Sequence, residues 1–308
     1  MRPFFITGYP RSGTTLLASM VGRHSEVTIP PETHFFRNFM PQVKGQVLDA
    51  TLLEAFCNFP RISDLGLDRD SVSEYLDDRS QTQELLGAAL SCFGRKNGAI
   101  IVGEKTPEHI LFFNEINSAY PGSLFVYIVR DGRDCVFSNI KEKWAHQNPI
   151  KQAAEWSYFI RRSEQIIRRN RSQIYVMRYE NLVTEPVNEL SAVCSFIGIE
   201  FEPNQLSPSA SDPTIPTWEL EWKAKAAGSP DKHNLYKWKK SADKIVIAKL
   251  PFIMHAELKK YGYEGIVEKL GICGKLKLIV YKYPIYDVLK WLGTFRLYKM
   301  IKTRAPAK

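Results

Sequence analysis

Cysteine is sparse in this 308-residue chain: Cys57, Cys92, Cys135, Cys194 and Cys273 are widely scattered, odd in number and form no C-x-x-C pair. That pattern excludes a disulfide framework and a cysteine zinc site and fits a reducing compartment. Long apolar runs are lacking too. Stretches such as Leu124 to Val129 are strand-length, far short of the roughly 20 residues a membrane-spanning helix needs. There is no internal repeat and no low-complexity tract, which excludes solenoids and biased, unfolded segments. A strand beginning almost at Met1 leaves no room for a cleavable leader, so the expected location is cytoplasmic.

What is present is ordinary globular composition, 44% hydrophobic and 24% charged, with a formal net charge of +9. The charge favours anionic partners: a nucleotide, acidic substrates, an anionic lipid surface or nucleic acid. Four β-branched or aromatic runs, Phe4–Thr7, Ala99–Gly103, Leu124–Arg130 and Gln173–Arg178, read as buried parallel strands. Helical patterns over Thr14–Arg23, Pro107–Tyr120, Asp131–Trp144 and Pro149–Arg169 alternate with them. That alternation predicts an α/β fold, a parallel sheet flanked by helices. Residues 38–95 read as a mostly helical, polar insertion. The proline-rich stretch 203–231 reads as a long irregular segment, of the kind that forms lids or ligand arms. A helix over Ala242–Tyr261 closes the main fold. The expected division is a domain over 1–270 and a basic, aromatic helical extension over 271–308, suited to docking on the body or to a membrane surface.

Gly8 to Thr15 has the spacing of a Walker A loop, G-x-x-x-x-G-K-[ST], between a strand and a helix. Backbone N–H groups of such a loop and the helix N-terminus bind phosphate-like anions. Thr14, however, stands where the lysine that reaches the β/γ-phosphates of a nucleoside triphosphate belongs. The pattern therefore predicts a nucleotide with a different, shorter anionic chain. Three further segments lie at predicted strand ends: Gly103-Glu104-Lys105-Thr106-Pro107, Arg130-Asp131-Gly132-Arg133-Asp134 with Ser138 in the next helix, and Tyr179-Glu180-Asn181. In open α/β sheets ligands bind beyond the carboxyl ends of the strands, so these segments should converge.

Taken in order, Pro10-Arg11-Ser12-Gly13-Thr14-Thr15, Arg130 with Ser138, and Tyr179-Glu180-Asn181 resemble sulfotransferases that use 3′-phosphoadenosine-5′-phosphosulfate (PAPS). The resemblance covers roughly residues 4–265. It is closest to the tyrosylprotein and bacterial branch, which shares an acidic residue after the first helix, here Glu32. It implies that Arg11, Ser12, Gly13, Thr14 and Thr15 cradle the 5′-phosphosulfate. It also implies that Arg130 and Ser138 hold the 3′-phosphate, a task suited to a planar guanidinium fork and a short hydroxyl. Tyr179 would contact the adenosine or support Arg130. Lys237 and Trp238, in Tyr236-Lys237-Trp238, resemble the segment that closes over the nucleotide. Glu142 departs from the protein-tyrosine branch, which offers a cation there.

Transfer of a sulfuryl group needs a base for the acceptor hydroxyl and a cation for the leaving oxygen. Glu32 and Lys105 are the candidates. His34 is the second-ranked base. Glu104 is a further rival, expected instead to pair with a basic neighbour such as Lys105. His24, His109, His146 and His255 read as surface or core residues. No metal is expected. The expected partners are a nucleotide sulfate donor and a hydroxyl acceptor, not nucleic acid, with peripheral membrane contact through the tail. Two other readings stay open: a P-loop kinase or NTPase, and a non-enzymatic anion- or lipid-binding module using the tail.

Overall fold

The structure, a computed structural model, describes residues 2–142, 145–207, 230–240, 244–263 and 278–281. Five parallel strands form one sheet in the order β2-β3-β1-β4-β5: β1 Phe4–Gly8, β2 Val27–Thr28, β3 Ile101–Lys105, β4 Phe125–Val129 and β5 Ile174–Arg178. β1 is central, with Phe5 in register with Glu104 on one side and with Phe125 on the other. Every residue of β1 and of β4 is buried, as expected where helices cover both faces of a parallel sheet and the strands read as continuous apolar runs.

The predicted α/β architecture is the observed one, with local differences. A fifth strand, β2, pairs Val27 with Ile101 and Thr28 with Val102; two residues are too few to leave an alternating pattern in the sequence. β3 runs two residues later than predicted, which places Glu104 and Lys105 inside the strand. The pattern over Pro107–Tyr120 divides into a 3₁₀ turn, Pro107–Phe112, and a short α-helix, Phe113–Ala119. The excursion between β2 and β3 is built of short helices, including Ala50–Cys57 and Leu85–Lys96. Most of the 203–231 segment and most of the 271–308 extension lie outside the described residues. Among the described residues, no helix is long and apolar enough to cross a membrane.

The chain divides into two compact units. The first comprises the described residues of Met1–Arg130 and Gln165–His233 and contains the whole sheet. It also holds helix α1, Thr14–Val21, which starts directly after the left-handed Gly13 (φ 97°). The second comprises the described residues of Asp131–Glu164 and Asn234–Lys308. It is organised by α2, Gly132–Asn139, by the first part of α3, Pro149–Arg169, and by α4, Lys244–Lys260. A Cβ on Gly132 would lie 2.2 Å from Met254 Cε and 2.5 Å from Trp156 Cδ2, so α2 meets the other two helices through a residue without a side chain.

Candidate functional site

In the first unit the predicted residues gather at the carboxyl edge of the sheet. β1 runs into the loop through Gly8, where a Cβ would fall 2.4 Å from the Ile128 carbonyl oxygen. Arg11 takes a left-handed conformation (φ 71°), as does Gly13. Ser12 turns inward: its backbone N–H and its hydroxyl both donate to the Tyr9 carbonyl, at 3.0 and 2.6 Å. That hydroxyl therefore braces the turn. Thr14 is buried and Thr15 half-buried at the start of α1, whose first turn carries no acidic side chain to compete for an anion.

Arg130, following β4, and Tyr179, following β5, are tied to this loop. The Arg130 guanidinium lies over the Tyr179 ring, 4.4 Å from its centroid, and its Nη1 donates to the Arg11 carbonyl at 3.2 Å. The Tyr179 ring in turn fills the space beside Gly13. A stacked guanidinium loses less freedom on pairing with a phosphate than a solvated one.

The ends of β2 and β3 bring a second group together. Lys105, fully buried, donates to Glu32 Oε1 at 2.5 Å and to Thr15 Oγ1 at 3.4 Å. Glu32 Oε2 faces His34 Nε2 at 3.1 Å, and His34 Nδ1 faces Glu108 Oε2 at 3.7 Å. Glu108 also pairs with Arg37. The result is a row of alternating charge from Arg37, more than half exposed, to Lys105. Burial works against a charged His34, but the attraction of the Glu108 and Glu32 carboxylates outweighs it and pushes its pKa up to about 9. Burial of Glu108 is likewise outweighed, by His34 and Arg37, and its carboxyl sits below the usual range.

Glu104 corrects an expectation. It does not pair with Lys105, because adjacent residues of a strand point to opposite faces. Its carboxylate instead accepts from Thr33 Oγ1 at 2.8 Å, Thr106 Oγ1 at 2.6 Å and His109 Nδ1 at 2.7 Å. His109 is a core residue, as expected, and so is His24, whose Nε2 lies 2.9 Å from the Glu200 carbonyl oxygen.

The remaining candidates belong to the second unit. Ser138 is half-buried in α2 and Lys237 is exposed beside Asn234. Trp238 is buried, its backbone N–H on Asp134 Oδ1 at 2.9 Å and its indole N–H on Asp131 Oδ2 at 3.1 Å. The Arg133 guanidinium covers its ring at 3.9 Å from the centroid and makes a two-pronged pair with Asp131, at 2.9 and 2.7 Å. Asp131, Arg133 and Asp134, which the sequence marks only as part of a strand-end segment, thus form a buried cluster around Trp238. Among the described residues, no group of three or more His, Cys, Asp or Glu side chains could hold a metal ion.

A family model described as "Sulfotransferase family" matches residues 3–203. The chain is 28% identical over 254 residues to protein-tyrosine sulfotransferase 2 of Gallus gallus, covering 79% of this chain and 59% of that protein. It is 25% identical to nodulation protein NoeE of Sinorhizobium fredii, covering 64% and 50%. The chain thus spans about half to two thirds of the length of the curated relatives it matches. Among solved structures, the fold resembles the sulfotransferase domain of the curacin biosynthetic pathway (TM-score 0.61, 20% identity, 86% of this chain and 99% of that one). It also resembles the sulfotransferase domain of the Synechococcus PCC 7002 olefin synthase (TM-score 0.60, 18% identity, 85% and 95%).

Proposed function

Because this chain belongs to the sulfotransferase family, we propose that it moves the sulfuryl group of PAPS to an acceptor hydroxyl. The observation that carries the reading is the position of Lys105: one buried ammonium touches both the candidate base, Glu32, and the anion loop, at Thr15. The acceptor oxygen forms a bond to sulfur as the bond from sulfur to the 5′-phosphate oxygen breaks. Glu32 takes the hydroxyl proton, and 3′,5′-phosphoadenosine leaves. Lys105 neutralises charge on the sulfuryl and leaving oxygens. An imidazolium has no lone pair to accept a proton, so His34, held charged between two carboxylates, is the weaker candidate for the base.

The donor set suits a bisphosphorylated nucleotide. The loop offers backbone N–H groups at a glycine whose flank is already filled by Tyr179, with Arg11, Thr14 and Thr15 beside it. Arg130 is proposed for the 3′-phosphate on its stacked, pre-oriented guanidinium. Ser138 joins it in the proposal on its place in the sequence pattern. Lys237 and Trp238 are proposed for the nucleotide, Trp238 as a wall, since Arg133 occupies one of its faces. The division at residue 270 and a membrane-surface role for the basic tail also belong to the proposal. Deleting residues 275–308 and measuring sedimentation with anionic vesicles tests the tail.

Thermal-shift titration with 3′,5′-phosphoadenosine, against ATP with Mg²⁺, tests the central reading. A larger stabilisation by ATP would overturn it in favour of a kinase or NTPase.

A further inference from the structure

We propose that Glu104 is a positioning residue for Glu32, acting through the hydroxyls of Thr33 and Thr106 on the backbone that carries the base. The inference rests on Glu32 being the base.

Glu104 has no exposed surface, and neither do Thr33, Thr106 and His109. An isolated carboxylate in such a place is costly, so its retention needs partners for both oxygens. It has them: Oε1 accepts the Thr33 and Thr106 hydroxyls, and Oε2 faces His109 Nδ1. Burial of Glu104 is outweighed by His109 and by these hydroxyls, which hold its carboxyl below the usual range. With its lone pairs engaged and no route to solvent, it is unfit as a base itself.

Each threonine works in two directions. The Thr106 hydroxyl donates to Glu104 and accepts the His34 backbone N–H at 3.2 Å. The Thr33 hydroxyl donates to Glu104 and accepts the Phe35 backbone N–H at 3.4 Å, while the Thr33 N–H itself reaches Glu104 Oε1 at 3.4 Å. Three successive amides, directly after Glu32, are thus gathered onto one carboxylate at the end of β3. His34 sits in the middle of them with φ 48°, a conformation that non-glycine residues keep only where their surroundings impose it. His109, packed edge-on against Phe5 and Phe36, fixes the far oxygen. The same strand thereby supplies Lys105 on one face and the anchor of Glu32 on the other. The separation of base and ammonium is set by β3 rather than by a loop.

The test compares Thr33→Val, Thr106→Val and Glu104→Gln with Thr33→Ser and Thr106→Ser, and with Glu32→Gln as control. Amide hydrogen exchange over residues 33–35 needs no acceptor. It should quicken roughly five- to tenfold in the valine and glutamine variants, one hydrogen bond's worth, and return to normal in the serine variants. With labelled PAPS and an acceptor drawn from a phenol, a saccharide and a tyrosine peptide, kcat should fall about tenfold or more in the same variants. With kcat counted per folded molecule, from the sites titrated by 3′,5′-phosphoadenosine, the KM for PAPS should stay within about twofold and serine should restore turnover, a split that damage to the nucleotide site does not produce. Unchanged exchange, or unchanged kcat where Glu32→Gln is inactive, overturns the inference and leaves the base reading intact. Full activity in Glu32→Gln overturns the base reading and with it the catalytic part, while the exchange result still judges the anchor. If a valine variant does not fold, Glu104→Gln and the serine pair decide.

Discussion

The Tyr179 ring lies so close against Gly13 that a single methyl group on that glycine would come within 2.3 Å of the ring's Cδ2. The start of the helix after β5 thereby sets the shape of the loop after β1. Gly13→Ala meets both this contact and a backbone at φ 97°, which together should cost about 2 kcal/mol or more. Thermal unfolding should show that loss, and titration with 3′,5′-phosphoadenosine should show little remaining stabilisation. A variant as stable and as responsive as the parent would mean the loop is not shaped this way.

Arg130 is held over Tyr179 and on the Arg11 carbonyl, an arrangement suited to one particular phosphate. Arg130→Ala should weaken 3′,5′-phosphoadenosine about tenfold or more, the worth of a charge-assisted bond. It should leave adenosine 5′-monophosphate, which lacks the 3′-phosphate, within about twofold. Calorimetric titration of both ligands separates the cases, and equal losses would assign Arg130 elsewhere.

Glu32→Gln keeps the shape and removes the proposed proton acceptor. Transfer from labelled PAPS should drop by about a hundredfold or more, with nucleotide binding nearly intact. Lys105→Met should lose a comparable factor through the uncompensated leaving oxygen. Loss of nucleotide binding in Glu32→Gln would instead mark Glu32 as structural.

His34 makes stability depend on pH. Its folded pKa, about 9, lies above the ordinary imidazole value of 6.5, so the stabilisation is complete below about pH 6.5. It fades as pH rises and is gone above about pH 9. The amount is on the order of 3 kcal/mol from the size of the shift. Thermal unfolding of the parent and of His34→Gln should therefore differ most at pH 6 and converge by pH 9.5. A gap that does not change with pH would show that the imidazole is not held charged by Glu32 and Glu108.

The sheet was legible because its strands announce themselves: Phe4–Gly8, apart from Thr7, and Phe125–Val129 are runs of apolar and aromatic residues, buried throughout. The anion loop was legible because its glycine spacing and the missing lysine are local. What escaped is non-local or too short. β2 has only two residues, yet it closes the edge beside which Glu32 sits. One partner of Glu104, Thr33, lies across the whole excursion, and no periodicity reports it. The expected Glu104–Lys105 pair failed because β3 extends to Lys105, past the predicted end at Gly103, and strand alternation then sends the two side chains to opposite sides. The charged row from Arg37 to Lys105 mixes a turn, a loop and a strand, so only coordinates reveal its order.

The pairing of Val27 with Ile101 and of Thr28 with Val102 has an evolutionary corollary. Some seventy intervening residues depart from and rejoin the framework at two neighbouring points, both clamped beside the chemistry. Beyond the Glu32–Phe35 stretch, such a segment can be lengthened, trimmed or transplanted while Glu32 and Lys105 stay where they are. Length and composition can therefore diversify there without disturbing the contact between Glu32 and Lys105.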